Sequence, residues 1–202
     1  MSLYFFKFID PENEHPKSND MKKKILIGVA VVILLLVGAL IYLNNRNRTL
    51  SPPGSEQLAN GNLSVSIQYS RPSVRNRMIF GTKEEGALQP YGEYWRLGAN
   101  EATEISFNRN VSFNGSEVAA GKYRMYAIPG ADAFELALNS ELGVWGVFEP
   151  DAEKDVLRTK VPVERLSNPV EQYTIRMEAK GDTTNVFFEW EKVRLMVPVV
   201  PN

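Results

Sequence analysis

Cysteine is absent from this chain, and its single histidine, His15, lies ahead of a long apolar run. The first absence excludes a disulfide framework, thiolate metal sites, a cysteine nucleophile and a lipidated N-terminal cysteine. The second leaves everything after the apolar run without imidazole, which removes Ser-His-Asp catalysis, histidine zinc sites and imidazole acid–base work from that part. Excess charge is missing too. A net charge of -1 offers no reason to expect nucleic acid, whose phosphates need clustered Lys and Arg. Neither S-x-x-K nor G-x-S-x-G occurs in the region after the apolar run, and no Walker or dinucleotide-binding glycine loop is found. No cofactor is expected.

What the chain does have, first, is an uncharged stretch from Ile25 to Leu43. As a helix at ~1.5 Å per residue it covers roughly 28 Å, close to the hydrocarbon thickness of a bilayer. Lys22, Lys23 and Lys24 precede it, and Tyr42 stands at headgroup depth near its far end. The positive-inside tendency places the N-terminus in the cytoplasm. This reading gives a short cytoplasmic head over 1–24, a transmembrane helix or signal anchor over 25–43, a linker over 44–56 around Pro52-Pro53-Gly54, and a globular domain over 57–202. The expected location is a bacterial inner membrane, single-pass, with the C-terminal domain periplasmic. The alternative is a signal peptide cut after Val37-Gly38-Ala39, which also exports the domain.

In the domain the hydrophobic period is two. Leu63, Val65, Ile67 and Tyr69 alternate with Asn62, Ser64, Ser66 and Gln68, as a half-buried strand does. Asn114-Gly115 and Pro129-Gly130 are turn signals between such runs. Eight or nine strands with recurrent turns and no amphipathic helix predict an all-β fold. It is an antiparallel β-sandwich, jelly-roll-like or a related barrel, preceded by one transmembrane helix. The expected core includes Ile67, Tyr69, Ile105, Phe107, Phe113, Tyr123, Phe134, Leu136, Val161, Ile175, Phe187 and Trp190.

The densest polar segment is Tyr69 to Thr103. Its arginines suit bidentate contact with carboxylate or phosphate, and its aromatic rings offer flat faces to a sugar. The candidate ligand-binding residues are Arg71, Arg77, Tyr91, Trp95, Arg96, Asn100 and Glu101. The competing structural reading makes Trp95 a core plug and pairs Arg96 with Glu101 or Glu104. Glu93, Glu101 and Glu104 are the only grouped carboxylates for acid–base work, although Glu101 and Glu104 are offset by three and face opposite sides of a regular strand. Asp151, Glu153 and Asp155 form an acidic trio that reads as a calcium loop or a solvated turn. Trp145, between glycines, reads as a ligand platform or a capping residue.

Tyr69-Ser70-Arg71-Pro72, Ile79-Phe80-Gly81, Pro90-Tyr91-Gly92, the run Trp95-Arg96-Leu97-Gly98-Ala99-Asn100-Glu101-Ala102-Thr103, Gly121-Lys122-Tyr123, Ile128-Pro129-Gly130, Trp145-Gly146 and Asp155-Val156-Leu157-Arg158 occur in this order. Together they resemble the bacterial family called domain of unknown function 2911, over about Leu58 to Val199. The resemblance implies an exported β-rich envelope domain with no established activity and no catalytic residue to carry over. Three functions are then open. The first is a non-enzymatic module that binds a glycan, an anionic small molecule or an envelope protein. The second is a carbohydrate-active hydrolase using Glu101 or Glu93, and the third a structural component of the envelope.

Overall fold

The computed structural model describes residues 18–202. His15 and most of the expected cytoplasmic head lie outside the described residues. The chain divides between Asn45 and Arg46 into two units. The first belongs to α1 (Ser18–Leu50), whose side chains from Ile25 to Leu43 are exposed all round. Among the described residues this is the one helix long and apolar enough to be a membrane span or signal anchor.

The expected linker is largely regular structure. Helix α1 continues through Leu50, and β1 (Pro53–Asn60) starts three residues later. Once a helix is nucleated, adding residues costs little, and Asn44 to Leu50 contains neither proline nor glycine. Pro52 ends it. Pro53 then opens an edge strand, a position where a missing N–H is tolerated.

The second unit contains the remaining strands: β2 (Leu63–Ser70), β3 (Phe80–Gly81), β4 (Gln89–Pro90), β5 (Thr103–Phe107), β6 (Val111–Phe113), β7 (Ser116–Val118), β8 (Gly121–Ile128), β9 (Ala133–Asn139), β10 (Asp155–Pro162), β11 (Glu164–Lys180) and β12 (Thr183–Pro201). A six-stranded sheet has the order β1-β2-β5-β8-β9-β10, and a four-stranded sheet the order β11-β12-β6-β7. Both are antiparallel throughout, while β3 and β4 form a short parallel pair. The arrangement is sandwich-like, as the period of two predicts.

Rings from both sheets join the layers. Phe107 on β5 meets Phe113 on β6 at 6.1 Å. Phe134 on β9 contacts Phe80, which contacts Trp190 on β12. Tyr69 on β2 donates its hydroxyl hydrogen to the Ile175 carbonyl and accepts from the Ile175 N–H on β11.

Strand β12 changes phase. Thr184, Val186, Phe188 and Trp190 face inward, and beyond Lys192 the buried set becomes Val193, Leu195, Val197 and Val199. The slip occurs at Glu191, which has φ 53° and opposes Val170 where the register with β11 shifts. Phe187 is therefore not core. It is three positions from Trp190 and faces outward, where Arg176 lies 3.9 Å above its ring. Tyr123 is partly buried against the core, and the other expected core residues are buried.

Candidate functional site

The run Trp95 to Thr103 builds one wall of a cleft, and almost every residue in it is committed to structure. Trp95 exchanges two backbone hydrogen bonds of 2.8 Å with Ala127 on β8, prolonging the line of β5. Its ring, 3% exposed, stacks on Trp190 at 5.8 Å. Leu97 is fully buried at φ 51°, a backbone region unfavourable for a bulky residue, and its carbonyl accepts from Thr103 Oγ1 at 2.6 Å. A Cβ on Gly98 would lie 2.8 Å from the Ser70 carbonyl oxygen, so only glycine fits there. Asn100 tolerates φ 56° and donates from Nδ2 to the Ser51 carbonyl at 3.1 Å. Glu101 pairs with Arg48 at 2.5 Å.

The opposite wall is the loop 142–148. Gly146 N–H donates to the Asn100 carbonyl, and Tyr94 Oη donates to the Gly146 carbonyl at 2.8 Å. A Cβ on Gly146 would sit 2.8 Å from Arg96 Cδ and 2.9 Å from the Asn100 oxygen. From beneath, the buried Arg124 on β8 donates to Tyr94 Oη at 2.6 Å and to the Phe148 carbonyl, and lies 3.9 Å from Glu141.

Between these walls lies a cleft of about 380 Å³ whose charged lining is Arg75, Arg77 and Arg96. No carboxylate lines it. The Arg75 guanidinium donates to the Leu50 carbonyl at 2.8 Å, and Arg77 donates to the Ser73 and Val74 carbonyls. Arg96 has no hydrogen bond or ion pair among the described residues. Burial pushes its guanidinium below its ordinary value, and the nearby Arg124 pushes it further the same way. Burial also raises the Tyr94 phenol, against the hydrogen bond from Arg124.

A second hollow, of about 490 Å³, is lined by Tyr69, Ser70, Glu101, Glu104 and Arg48 among others. Glu101 and Glu104 share it because Glu101 precedes β5 and bridges to Trp145 instead of continuing the strand. Each carboxylate there has a cation: Arg48 for Glu101, and Lys122 at 2.5 Å for Glu104. The carboxylates of the larger hollow are thus each paired, whereas no carboxylate lines the smaller one, although Glu171 accepts from the Arg75 backbone N–H at 3.0 Å.

Of the residues singled out from sequence, Arg77, Arg96 and Asn100 line the arginine cleft. Glu101 lines the other hollow. Arg71 turns elsewhere, donating to Thr174 Oγ1 at 3.3 Å, and Tyr91 packs against the core. Trp95 cannot offer a face to a ligand, because aromatic rings on both sheets enclose it. The pairing of Arg96 with Glu101 or Glu104 does not form. The acidic trio does not converge: Asp151 caps a short 3-10 turn, while Asp155 turns to Tyr126, Asn139 and Arg158. That contact and burial raise the Tyr126 phenol, burial contributing most.

Sequence reasoning passed over Arg75 and the loop residue Val147. A signal for Arg75 was present, since 57–82 holds Arg71, Arg75 and Arg77 and no carboxylate. No comparable signal places 142–148 beside Arg96, because that contact joins segments about fifty residues apart.

No curated protein and no solved structure matches the chain. Residues 51–199 match a family described as a protein of unknown function, DUF2911, a stretch that runs from just after α1 to near the end of β12. The chain belongs to that family.

Proposed function

We propose that this protein is a membrane-tethered, non-enzymatic module that binds an anionic ligand in the cleft of Arg75, Arg77 and Arg96. The observation that carries the reading is Arg96: a half-buried guanidinium with no partner among the described residues, in a cleft lined by two further arginines and by no acid. An unneutralised charge in a concave site raises the energy of the empty protein, and a bound anion offsets that cost. Arginine's planar fork suits phosphate or carboxylate, whether on a small molecule, an acidic sugar or a partner. The paired state of Glu101 and Glu104 favours binding over carboxylate-driven hydrolysis.

The tether is α1, with Lys22 to Lys24 retained in the cytoplasm and the domain outside the inner membrane. Thermal unfolding of the full chain in neutral detergent tests the binding reading, with glycerol 3-phosphate, glucuronate and neutral glucose as probes. The two anions are expected to raise the wild-type Tm and to leave Arg96→Gln unmoved, and glucose to do nothing. Equal shifts in both proteins, or none in either, would overturn it.

A further inference from the structure

The arginine cleft is rimmed by exposed apolar side chains. Trp145 and Val147 line it together with Leu88, and Phe148 follows at 67% exposed. These residues are not a loose tip. The backbone of 144–148 is fixed by hydrogen bonds to Asn100, Ala102, Tyr94 and Arg124, so Trp145 and Phe148 are held outward by a braced loop. Holding a tryptophan and a phenylalanine in water is costly, and nothing in the fold of this unit covers them.

The same cleft is lined by Asn47 and Leu50, which follow the apolar run after only a few residues. At ~1.5 Å per residue, Leu50 is about 10 Å of helix beyond Leu43. If Ile25 to Leu43 spans the bilayer, that short chain distance keeps Asn47 and Leu50 within reach of lipid headgroups. Tryptophan beside arginine is the pairing that a membrane interface selects: the ring enters the headgroup region and the guanidinium meets phosphate.

We infer that this face docks on the bilayer into which α1 is inserted, with Trp145 and Phe148 entering the interface and Arg75, Arg77 and Arg96 binding the phosphate of an anionic phospholipid. The inference rests on the anion-binding reading above and gives its ligand a source. A soluble phosphopeptide or metabolite would satisfy the arginines but leave the aromatic rim in water.

The chain's three tryptophans make the test direct. Trp95 and Trp190 are 3% and 1% exposed, Trp145 is 37% exposed, and none lies in the apolar run. The full chain is reconstituted in vesicles of brominated phosphatidylcholine, with and without phosphatidylglycerol. Bromine is expected to quench a fluorescence component in the anionic vesicles, and that component is absent from Trp145→Phe. Arg77→Gln and Arg96→Gln are each expected to lower the docking constant about fivefold, as is typical of one cation near an anionic surface.

Quenching that is unchanged in both arginine variants, or that persists in Trp145→Phe, would overturn the inference. So would no quenching in anionic vesicles while glycerol 3-phosphate still raises the Tm through Arg96, an outcome that leaves anion binding standing and assigns the cleft to a soluble ligand. Loss of the glycerol 3-phosphate response as well would overturn the binding reading itself.

Discussion

Two tyrosines in the core carry opposite expectations. The Tyr69 hydroxyl is satisfied twice by the Ile175 backbone, whereas the Tyr173 hydroxyl is fully buried with no hydrogen-bond partner among the described residues. Burial raises the Tyr173 phenol well above its ordinary value, so it stays neutral. Removing a satisfied hydroxyl strands the Ile175 N–H and costs about 1–2 kcal/mol, while removing an unsatisfied one relieves a desolvation cost. Tyr69→Phe should therefore lower stability by about that amount in denaturant titration, and Tyr173→Phe should leave it unchanged or raise it. Arg96→Gln belongs to the second kind. It deletes a partly buried cation with Arg124 nearby and no acid, so the unliganded variant should melt at the wild-type temperature or above it.

At the scale of elements, the cleft depends on how closely two segments approach. Gly146 leaves no room for a methyl group between Arg96, Asn100 and Ala102, and two of those contacts are backbone. Gly146→Ala should separate the 142–148 loop from the 95–103 run, at a cost of about 1–3 kcal/mol, and should diminish the anion response with it. A second element-level expectation concerns the outer face of β11 and β12, where Glu189 is held between Arg176 and Arg194 at 3.2 and 2.5 Å. Burial works to raise the Glu189 carboxyl, but hydrogen bonds from the two arginines carry it below its ordinary value. Folding therefore favours the ionised form. Its contribution is complete above the unfolded value of about 4.3 and is lost as the pH falls through the lower folded value. Wild-type Tm should drop more steeply on acidification below about pH 4.5 than that of Glu189→Gln.

The strands themselves were legible because a period of two is written along them, as in Leu63, Val65, Ile67 and Tyr69. Phe187 was misassigned because it was grouped with Trp190 although an odd offset of three puts the two on opposite faces of β12, ahead of the bulge at Glu191. Trp95 was ambiguous for a different reason. Its segment lacks alternation, and only the bridge to Ala127 turns the ring inward. Arg96 shares the cleft with Arg75 and Arg77 rather than pairing with Glu101, beside left-handed backbone at Leu97, which its residue type does not announce, and at Asn100, which its residue type permits.

For the whole molecule, only Ser51 and Pro52 separate α1 from β1 in chain order. With α1 as the proposed membrane tether, so short a connection limits the reach of the domain. The full chain should sediment with membranes and resist both high salt and alkaline washing, because the apolar run and not surface charge retains it. Release by salt alone would contradict the tether.

The unpaired charge of Arg96 is the claim on which the account turns. Thermal unfolding of wild type and Arg96→Gln, each with and without glycerol 3-phosphate, measures it most directly. The account predicts that the variant is no less stable than wild type when empty and that only wild type gains from the anion. A variant that melts well below wild type, with the same anion response, would show Arg96 to be a structural residue and would contradict the account.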